Sequence, residues 1–287
     1  MCGIFGIAVR PATTLPTPFL RKLRDRLFVL SESRAMESAG LHLYLPGSCR
    51  SRALKGAQPV SELLKTGAFR QTLQAGLDLI YTAGDKAPTE PLIAIACSHL
   101  VSNGSAELAQ NNQPVRWGPV TMVHNGIVVN VDHPCRQNPL LQRNAEVDTE
   151  VMAALLADAM ASDLDPVAAS SRVFAAMRGA ASAAWVDGEA ATLALATNTG
   201  DLHYAMLPGD ARLVFAPEKF ILDSAIKPAA RDAHGSAGWS GSEALEAIRT
   251  ENRPRTASLR WDLVTAGLAF NDTIGRVNEL DKIGWHK

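Results

Sequence analysis

The sequence contains few cysteines, and no two of them are closely spaced. The four cysteines, Cys2, Cys49, Cys97 and Cys135, are scattered over 287 residues without a C-x-x-C pair. Closely spaced cysteine pairs are typical of zinc sites, and dense cysteine patterns are typical of disulfide frameworks in small secreted domains. The spacing indicates neither kind of site, so we expect free thiols and no bound metal.

The sequence also lacks a surplus of charge and a long apolar run. Its 28 basic and 29 acidic side chains give a formal net charge of -1, which offers nucleic acid no electrostatic attraction. No stretch approaches the roughly 18 apolar residues that a transmembrane helix needs, and no basic segment followed by an apolar one opens the chain. We therefore expect a cytoplasmic protein that binds neither nucleic acid nor a membrane.

Three segments carry helix signals. A helix is predicted to begin at Thr17-Pro18, because leucines follow at every third or fourth position. Alanine-rich segments at 149–160 and 166–177 are preceded by Asp148 and Asp165, whose carboxylates suit the free backbone amides of a helix start. We expect a helix in each of these places.

Short apolar runs between these segments carry strand signals. Residues 92–96 and 120–123 predict buried strands, the second of which leads into a turn at Asn125-Gly126. Three runs within 193–216 are separated by turn residues and predict an antiparallel meander. Clustered strands with helices between them favour a layered α+β architecture over an alternating parallel sheet.

A cysteine occupies the second position of the chain, in the segment Met1-Cys2-Gly3-Ile4. An initiator methionine is normally removed before a small residue, and Cys2 would then carry both a thiol and a free α-amine. The ordinary pKa values of these groups are about 8.5 and about 8, so the amine can accept the proton of the thiol. One residue would supply nucleophile and base; the alternative is a chance cysteine before a first strand.

Three further segments follow this cysteine in a recognisable order: Ser33-Arg34-Ala35-Met36-Glu37-Ser38-Ala39-Gly40, Asn111-Asn112-Gln113-Pro114, and His124-Asn125-Gly126-Ile127-Val128-Val129-Asn130. Together they resemble the glutaminase domain of class II glutamine amidotransferases, most closely that of glucosamine-6-phosphate synthase and its short standalone relatives. The resemblance spans residues 1–222. It implies the N-terminal nucleophile hydrolase fold, a four-layer αββα sandwich of two antiparallel sheets between helix layers. Residues 223–287 are expected to form a C-terminal extension on the same domain.

The resemblance assigns catalytic roles to three residues. Cys2 would attack a γ-carboxamide, and the Asn125 side chain and Gly126 backbone N–H would form the oxyanion hole. Ammonia would leave, and water would cleave the remaining thioester, without a cofactor. The alternative for Asn125-Gly126 is a simple turn, because this pair is a strong hairpin signal.

Two charged residues receive binding roles from the same resemblance. Asp148 would bind the α-ammonium group of the substrate through its carboxylate. The alternative is that Asp148 only caps the helix that follows it. Arg34 would support the surroundings of the nucleophile, although Ala35 stands where glycine is usual, and a surface arginine is its alternative.

One segment departs from the family pattern, Cys97-Ser98-His99-Leu100-Val101-Ser102-Asn103-Gly104. His99 stands where an arginine clamps the α-carboxylate of glutamine, and Cys97 stands where histidine is usual. An imidazole cannot make the bidentate, permanently charged contact of a guanidinium, and losing such a contact costs about 1.5 to 3 kcal/mol. Ser102 and Asn103 keep the polar end that would line the substrate pocket.

Three functions therefore stay open. In the first, the protein is a glutaminase that passes ammonia to a separate synthase subunit, and Arg116, Arg136 or another cation replaces the arginine clamp. Alternatively it hydrolyses a different small amide that lacks the carboxylate, or it is a silent binding or regulatory subunit. Self-association into a homo-oligomer is compatible with all three.

Overall fold

The computed structural model describes residues 2–9, 17–80, 89–137, 141–199, 201–207, 212–233, 256–261 and 268–269. Most of the expected C-terminal extension, residues 234–255, 262–267 and 270–287, lies outside these ranges.

Within the described residues, the strands form two antiparallel sheets of six. The first sheet contains β1 (Gly3–Val9), β2 (Ser38–Leu45), β3 (Arg50–Gly56), β4 (Leu92–His99), β9 (His203–Leu207) and β10 (Arg212–Ala216), in the order β3-β2-β4-β1-β10-β9. The second contains β5 (Val115–Trp117), β6 (Val120–Val128), β7 (Gly179–Asp187), β8 (Thr192–Thr197), β11 (Thr256–Trp261) and β12 (Leu268–Ala269), in the order β12-β11-β8-β7-β6-β5.

Helices cover the outer face of each sheet. They are α1 (Thr17–Ser31), α2 (Val60–Leu63), α3 (Gly67–Ile80), α4 (Asp132–Gln137), α5 (Asp148–Ala161), α6 (Pro166–Ala176) and α7 (Lys219–Ala233). Apolar side chains of α1, α3 and α7 form one core with the first sheet, and those of α5 and α6 form another with the second. The predicted α+β sandwich of four layers is confirmed. Among the described helices, none is long and apolar enough to cross a bilayer.

A third core fills the space between the two sheets and brings the chain start into it. Because side chains of a strand alternate between faces, β1 directs Phe5 and Ile7 toward the helices. It directs Ile4 toward the second sheet, and Cys2 continues that inward row. The side chain of Cys2 therefore lies at one end of the space between the sheets.

The local helix predictions are confirmed. The helix expected at Thr17-Pro18 is α1, and its leucines Leu23 and Leu27 are fully buried. The side chain of Asp165 caps α6 as expected, accepting hydrogen bonds of 2.9 Å from the amides of Val167 and Ala168. These features depend on residues that are close in sequence.

The predicted three-stranded meander is wrong. β9 and β10 do form an antiparallel pair in the first sheet, but β8 lies in the second sheet between β7 and β11. The chain thus changes sheets between β8 and β9. Apolar periodicity indicates that a segment is a strand, but it does not indicate which of two stacked sheets the strand joins.

Part of the C-terminal region contributes to the same sandwich. β11 pairs with β8 along residues 256–260, so it extends the second sheet. The boundary expected after residue 222 falls inside α7, which packs on the first sheet beside α1. The division of the chain at this point remains a prediction.

His42 is an ionisable side chain buried beside the inter-sheet core. It is 6% exposed on β2, and its Nδ1 atom has no hydrogen-bond partner within the described residues. Burial, and to a smaller extent the charge of Arg116, lowers the pKa of His42 to about 4. An unfolded histidine has a pKa of about 6.5, so between these values the unfolded chain binds more protons. Stability should therefore fall as the pH drops from 6.5 toward 4.

We predict that His42→Gln weakens this acid sensitivity. Between pH 7 and pH 5, the free energy of unfolding of the parent protein should decrease by about 2 kcal/mol more than that of the variant. Urea unfolding at both pH values measures the two decreases, and other titrating groups cancel in the comparison. Equal decreases would show that His42 does not titrate with folding.

Candidate active site

The backbone nitrogen of Cys2 joins the two sheets at the site. It donates a hydrogen bond of 2.7 Å to Oδ1 of Asn125, which lies on β6 in the second sheet. The Cys2 side chain is 5% exposed, and its sulfur lies 3.7 Å from the carbonyl oxygen of Leu100. The predicted nucleophile and the predicted oxyanion-hole amide are therefore in direct contact.

The side-chain amide of Asn125 has a defined orientation. The Cys2 nitrogen can only donate in this contact, so Asn125 must present its oxygen to it. The amide nitrogen, Nδ2, then faces away from Cys2, and it makes no hydrogen bond within the described part of the chain. Asn125 thus holds the start of the chain with its oxygen, and its Nδ2 remains available as a hydrogen-bond donor.

Asn125 and Gly126 lie inside a strand, which corrects the turn expected there. β6 continues through both residues, and they pair with Ser182 and Ala181 of β7. Gly126 has a φ of 148°, and a Cβ atom added to it would lie 1.9 Å from the carbonyl oxygen of Ala180. Only glycine permits β7 to approach this closely, so the glycine is required by strand pairing rather than by a turn.

Gln113 fixes the backbone immediately before Asn125. Its Oε1 accepts a hydrogen bond of 2.6 Å from the backbone N–H of His124, and its Nε2 donates one of 3.0 Å to the carbonyl oxygen of the same residue. The register of β5 and β6 would place residue 113 opposite His124, so the side chain continues the ladder where β5 has not yet begun. The motif around Gln113 was recognised from sequence, but this role was not.

Asp148 does not cap a helix, which removes one of its two expected roles. It is the first residue of α5, and the capping position belongs to Val147. Its Oδ2 accepts a hydrogen bond of 2.8 Å from the backbone N–H of Val128, and Oδ1 lies 3.5 Å from Nδ1 of His124. Burial raises the pKa of Asp148, but the hydrogen bond and charge of His124 bring it below the usual value. The binding of an α-ammonium group remains a prediction for this buried carboxylate.

His99 lies beside the nucleophile. It is the last residue of β4 and pairs with Ser38 of β2. On the other side of β4, Gly3 of β1 pairs with Ser98, which places Cys2 opposite His99. The imidazole is 2% exposed, and its Nδ1 lies 3.4 Å from the hydroxyl oxygen of Ser38. The residue that stands in place of the expected arginine therefore lies beside the predicted nucleophile.

Two neighbours favour the thiolate form of Cys2. A hydrogen bond from the Cys97 thiol, followed by the hydrogen bond and charge of His99, lowers the pKa of the Cys2 thiol well below its usual range, although burial raises it. Burial and the adjacent Cys2 raise the pKa of the Cys97 thiol. Of these two neighbouring sulfurs, Cys2 therefore has the lower thiol pKa.

The remaining predicted site residues are Arg34, Ser102 and Asn103. The guanidinium of Arg34 forms an ion pair with Glu218, next to the start of α7. Ser102 and Asn103 are exposed in the segment that follows β4. Their binding roles remain predictions. Among the described residues, no group of three or more histidine, cysteine, aspartate or glutamate side chains is arranged to hold a metal ion.

We predict that Gln113→Leu destabilises the protein by about 2 kcal/mol or more, because two buried backbone groups of His124 lose their partners. Gln71→Leu is the matched control, since Gln71 is exposed on α3 and should change stability by no more than about 0.5 kcal/mol. Urea unfolding of both variants measures the difference. Similar values for the two would show that Gln113 does not support this strand.

Comparison with known proteins agrees with this geometry. No protein-family model matches the chain. The chain is similar to the isomerizing glutamine–fructose-6-phosphate aminotransferase of Zymomonas mobilis, with 32% identity over 187 residues. That match covers 63% of this chain and 26% of the relative, so the chain spans about a quarter of its length.

Two solved structures share the fold. One is glutamine phosphoribosylpyrophosphate amidotransferase from B. subtilis, with a TM-score of 0.52 and 19% identity over 78% of this chain and 43% of that chain. The other is described as the allosteric regulatory enzyme of purine biosynthesis, with a TM-score of 0.50 and 18% identity over the same shares of 78% and 43%. The resemblance to class II glutamine amidotransferases and the N-terminal nucleophile hydrolase fold are confirmed.

Proposed function

We propose that this chain is an amidohydrolase of the class II amidotransferase kind, which releases ammonia from glutamine once Met1 is removed. The observation that carries the proposal is the contact of the Cys2 nitrogen with Asn125 Oδ1. It places the future α-amine, the thiol and an unpaired amide donor within one site. The aminotransferase relative takes nitrogen from glutamine, by its name, and we propose a separate synthase as the acceptor of ammonia here.

The proposed reaction begins at the Cys2 sulfur. The thiolate attacks the carboxamide carbon, and the electrons of the C=O double bond move to its oxygen. Asn125 Nδ2 and the backbone N–H of Gly126 stabilise that oxyanion, and loss of one such donor typically costs about 100- to 1,000-fold in rate. The α-amine of Cys2, which took the proton of the thiol, returns it to the departing nitrogen as the carbon–nitrogen bond breaks and ammonia leaves. Water then cleaves the thioester and restores the thiol.

We predict that protein starting at Cys2 releases ammonia from glutamine or a related small amide, and that Cys2→Ala abolishes the release. Intact mass establishes the start of the chain, and a coupled ammonia assay measures turnover over a panel of amides. Cys49→Ser is the matched control, because Cys49 is an exposed thiol away from the site and should leave turnover unchanged. Processed protein that matches Cys2→Ala on every amide would instead support a binding or regulatory subunit.

A second candidate substrate is an amide whose distal end lacks a carboxylate. The observation that favours it is the position of His99, whose imidazole is buried beside Ser38 and lies opposite Cys2 in the strand register. An imidazole held in this way does not reach outward as a clamp for a distant carboxylate. A substrate without that group would not require one.

Substitution of His99 distinguishes these substrates. If the pocket is built for glutamine, His99→Arg should lower the KM for glutamine by about 10- to 150-fold, because a bidentate charged contact is restored. The KM for an amide without a carboxylate should not change. His99→Lys is the control, since it adds the charge without the planar fork. No fall in the KM for glutamine with arginine would favour the second substrate class.

A further inference from the structure

A buried polar pair stands next to the nucleophile and has no role in the reaction described above. His99 is 2% exposed, and the hydroxyl of Ser38 is fully buried beside it. The two residues lie directly opposite each other on β4 and β2, so sheet pairing holds them at a constant separation. On the other side of β4, Cys2 faces His99 from the start of β1.

The directions of the side chains also place His99 beside Cys2. Ile4 and Cys97 are opposite each other on β1 and β4 and both point into the inter-sheet core. Cys2 and His99 each lie two residues further along these strands, so their side chains point to the same face. Directly opposed side chains on antiparallel strands have Cβ atoms about 4.5 to 5.5 Å apart. An imidazole at that position reaches the sulfur of Cys2.

We propose that His99 is a catalytic residue, which accepts the proton of the Cys2 thiol and returns it to the leaving ammonia, and that Ser38 positions its ring. The proposal rests on the amide hydrolysis proposed above and names a second base beside the α-amine. The contact of Ser38 with Nδ1 leaves Nε2 as the ring nitrogen available to the sulfur. A hydrogen bond to one ring nitrogen fixes which tautomer the imidazole adopts.

The proton and electron balance of this cycle closes without another reactant. Nε2 takes the proton from the Cys2 thiol as the sulfur forms its bond to the carboxamide carbon. When the tetrahedral intermediate collapses, the carbon–nitrogen bond breaks, and the imidazolium gives its proton to the departing nitrogen. Water then attacks the thioester and transfers a proton to the imidazole, which returns it to the sulfur as the thioester bond breaks.

Few other titratable groups act on this pair. Among the described residues, Cys97 and His99 are the side chains whose hydrogen bonds or charge affect the ionisation of Cys2. The Cys97 thiol donates a hydrogen bond of 3.3 Å to the carbonyl oxygen of Ser98, and burial raises its pKa, so it offers Cys2 no base. After removal of Met1, the α-amine of Cys2 is the competing base. The test must therefore separate the imidazole from the amine.

The reaction of Cys2 with iodoacetamide measures its thiolate without any amide substrate. We would follow alkylation against pH in a Cys49→Ser, Cys135→Ser background, which removes the two more accessible thiols. The remaining thiol besides Cys2 is Cys97, which is buried. A reductant keeps these two neighbouring cysteines from forming a disulfide. Two forms of the chain are compared, one starting at Cys2 and one with a glycine retained before it, which blocks the amine. In both, His99→Gln should move the midpoint of alkylation upward by about one pH unit or more.

Two further variants separate a chemical role from a structural one. Ser38→Ala should move the midpoint in the same direction by a smaller amount, because the ring loses its tautomer restraint. His42→Gln makes the same change at another buried histidine of the first sheet and should leave the midpoint in place. In the form that starts at Cys2, His99→Gln should lower kcat by about 100-fold or more, while thermal unfolding confirms that it folds.

The outcomes distinguish this inference from the proposed function. If turnover requires Cys2 but His99→Gln changes neither the midpoint nor kcat, the α-amine is the base and the role of His99 is refuted. If the midpoint depends on His99 while no amide is turned over, the Cys2–His99 pair is supported and the proposed hydrolysis is refuted. A shift that also occurs in His42→Gln would indicate general loosening and would overturn the assignment.

Discussion

The hydrogen bond from the Cys2 nitrogen to Asn125 connects the two sheets at the point where chemistry can occur. Cys2 is positioned by β1, and Asn125 is positioned by β6, so neither sheet alone contains the site. The contact requires β7 to approach β6 closely, which Gly126 permits, and it requires Gln113 to hold the backbone of His124. The surrounding elements thus all help to keep the Cys2–Asn125 contact between the sheets short.

The two sheets make different contributions to the site. The second sheet supplies the amide donor, because Asn125 and Gly126 lie within β6 and are fixed by pairing with β7. The first sheet supplies the sulfur and its ionising neighbours, since Cys97 and His99 lie on β4 next to β1. In the proposed reaction, charge therefore forms on a sulfur held by one sheet and is stabilised on a substrate oxygen by donors of the other. Rigid strands position such groups more accurately than loops do.

The sequence was sufficient for features that depend on neighbouring residues. The helix α1, the cap at Asp165 and the strand β4 follow from local spacing, and Cys2 and Asn125 were identified from motifs in their expected order. The placement of β8 in the second sheet was not predictable, because its apolar pattern suits either sheet. The continuation of β6 through Gly126 depends on β7, which is more than 50 positions away and supplies the pairing partner. Register between distant strands is not encoded in local periodicity.

His99 shows most clearly why a motif does not determine a role. Its sequence position indicated a weakened contact with a substrate carboxylate, because an imidazole was compared with the arginine expected there. The structure adds two neighbours that the motif cannot reveal, Ser38 on β2 and Cys2 at the start of β1. The shorter imidazole at this point lies opposite the predicted nucleophile, whereas a long guanidinium would extend beyond it. If His99 has the proposed role, one substitution removes recognition at the far end of a pocket and adds acid–base chemistry at the near end, without any change in the fold.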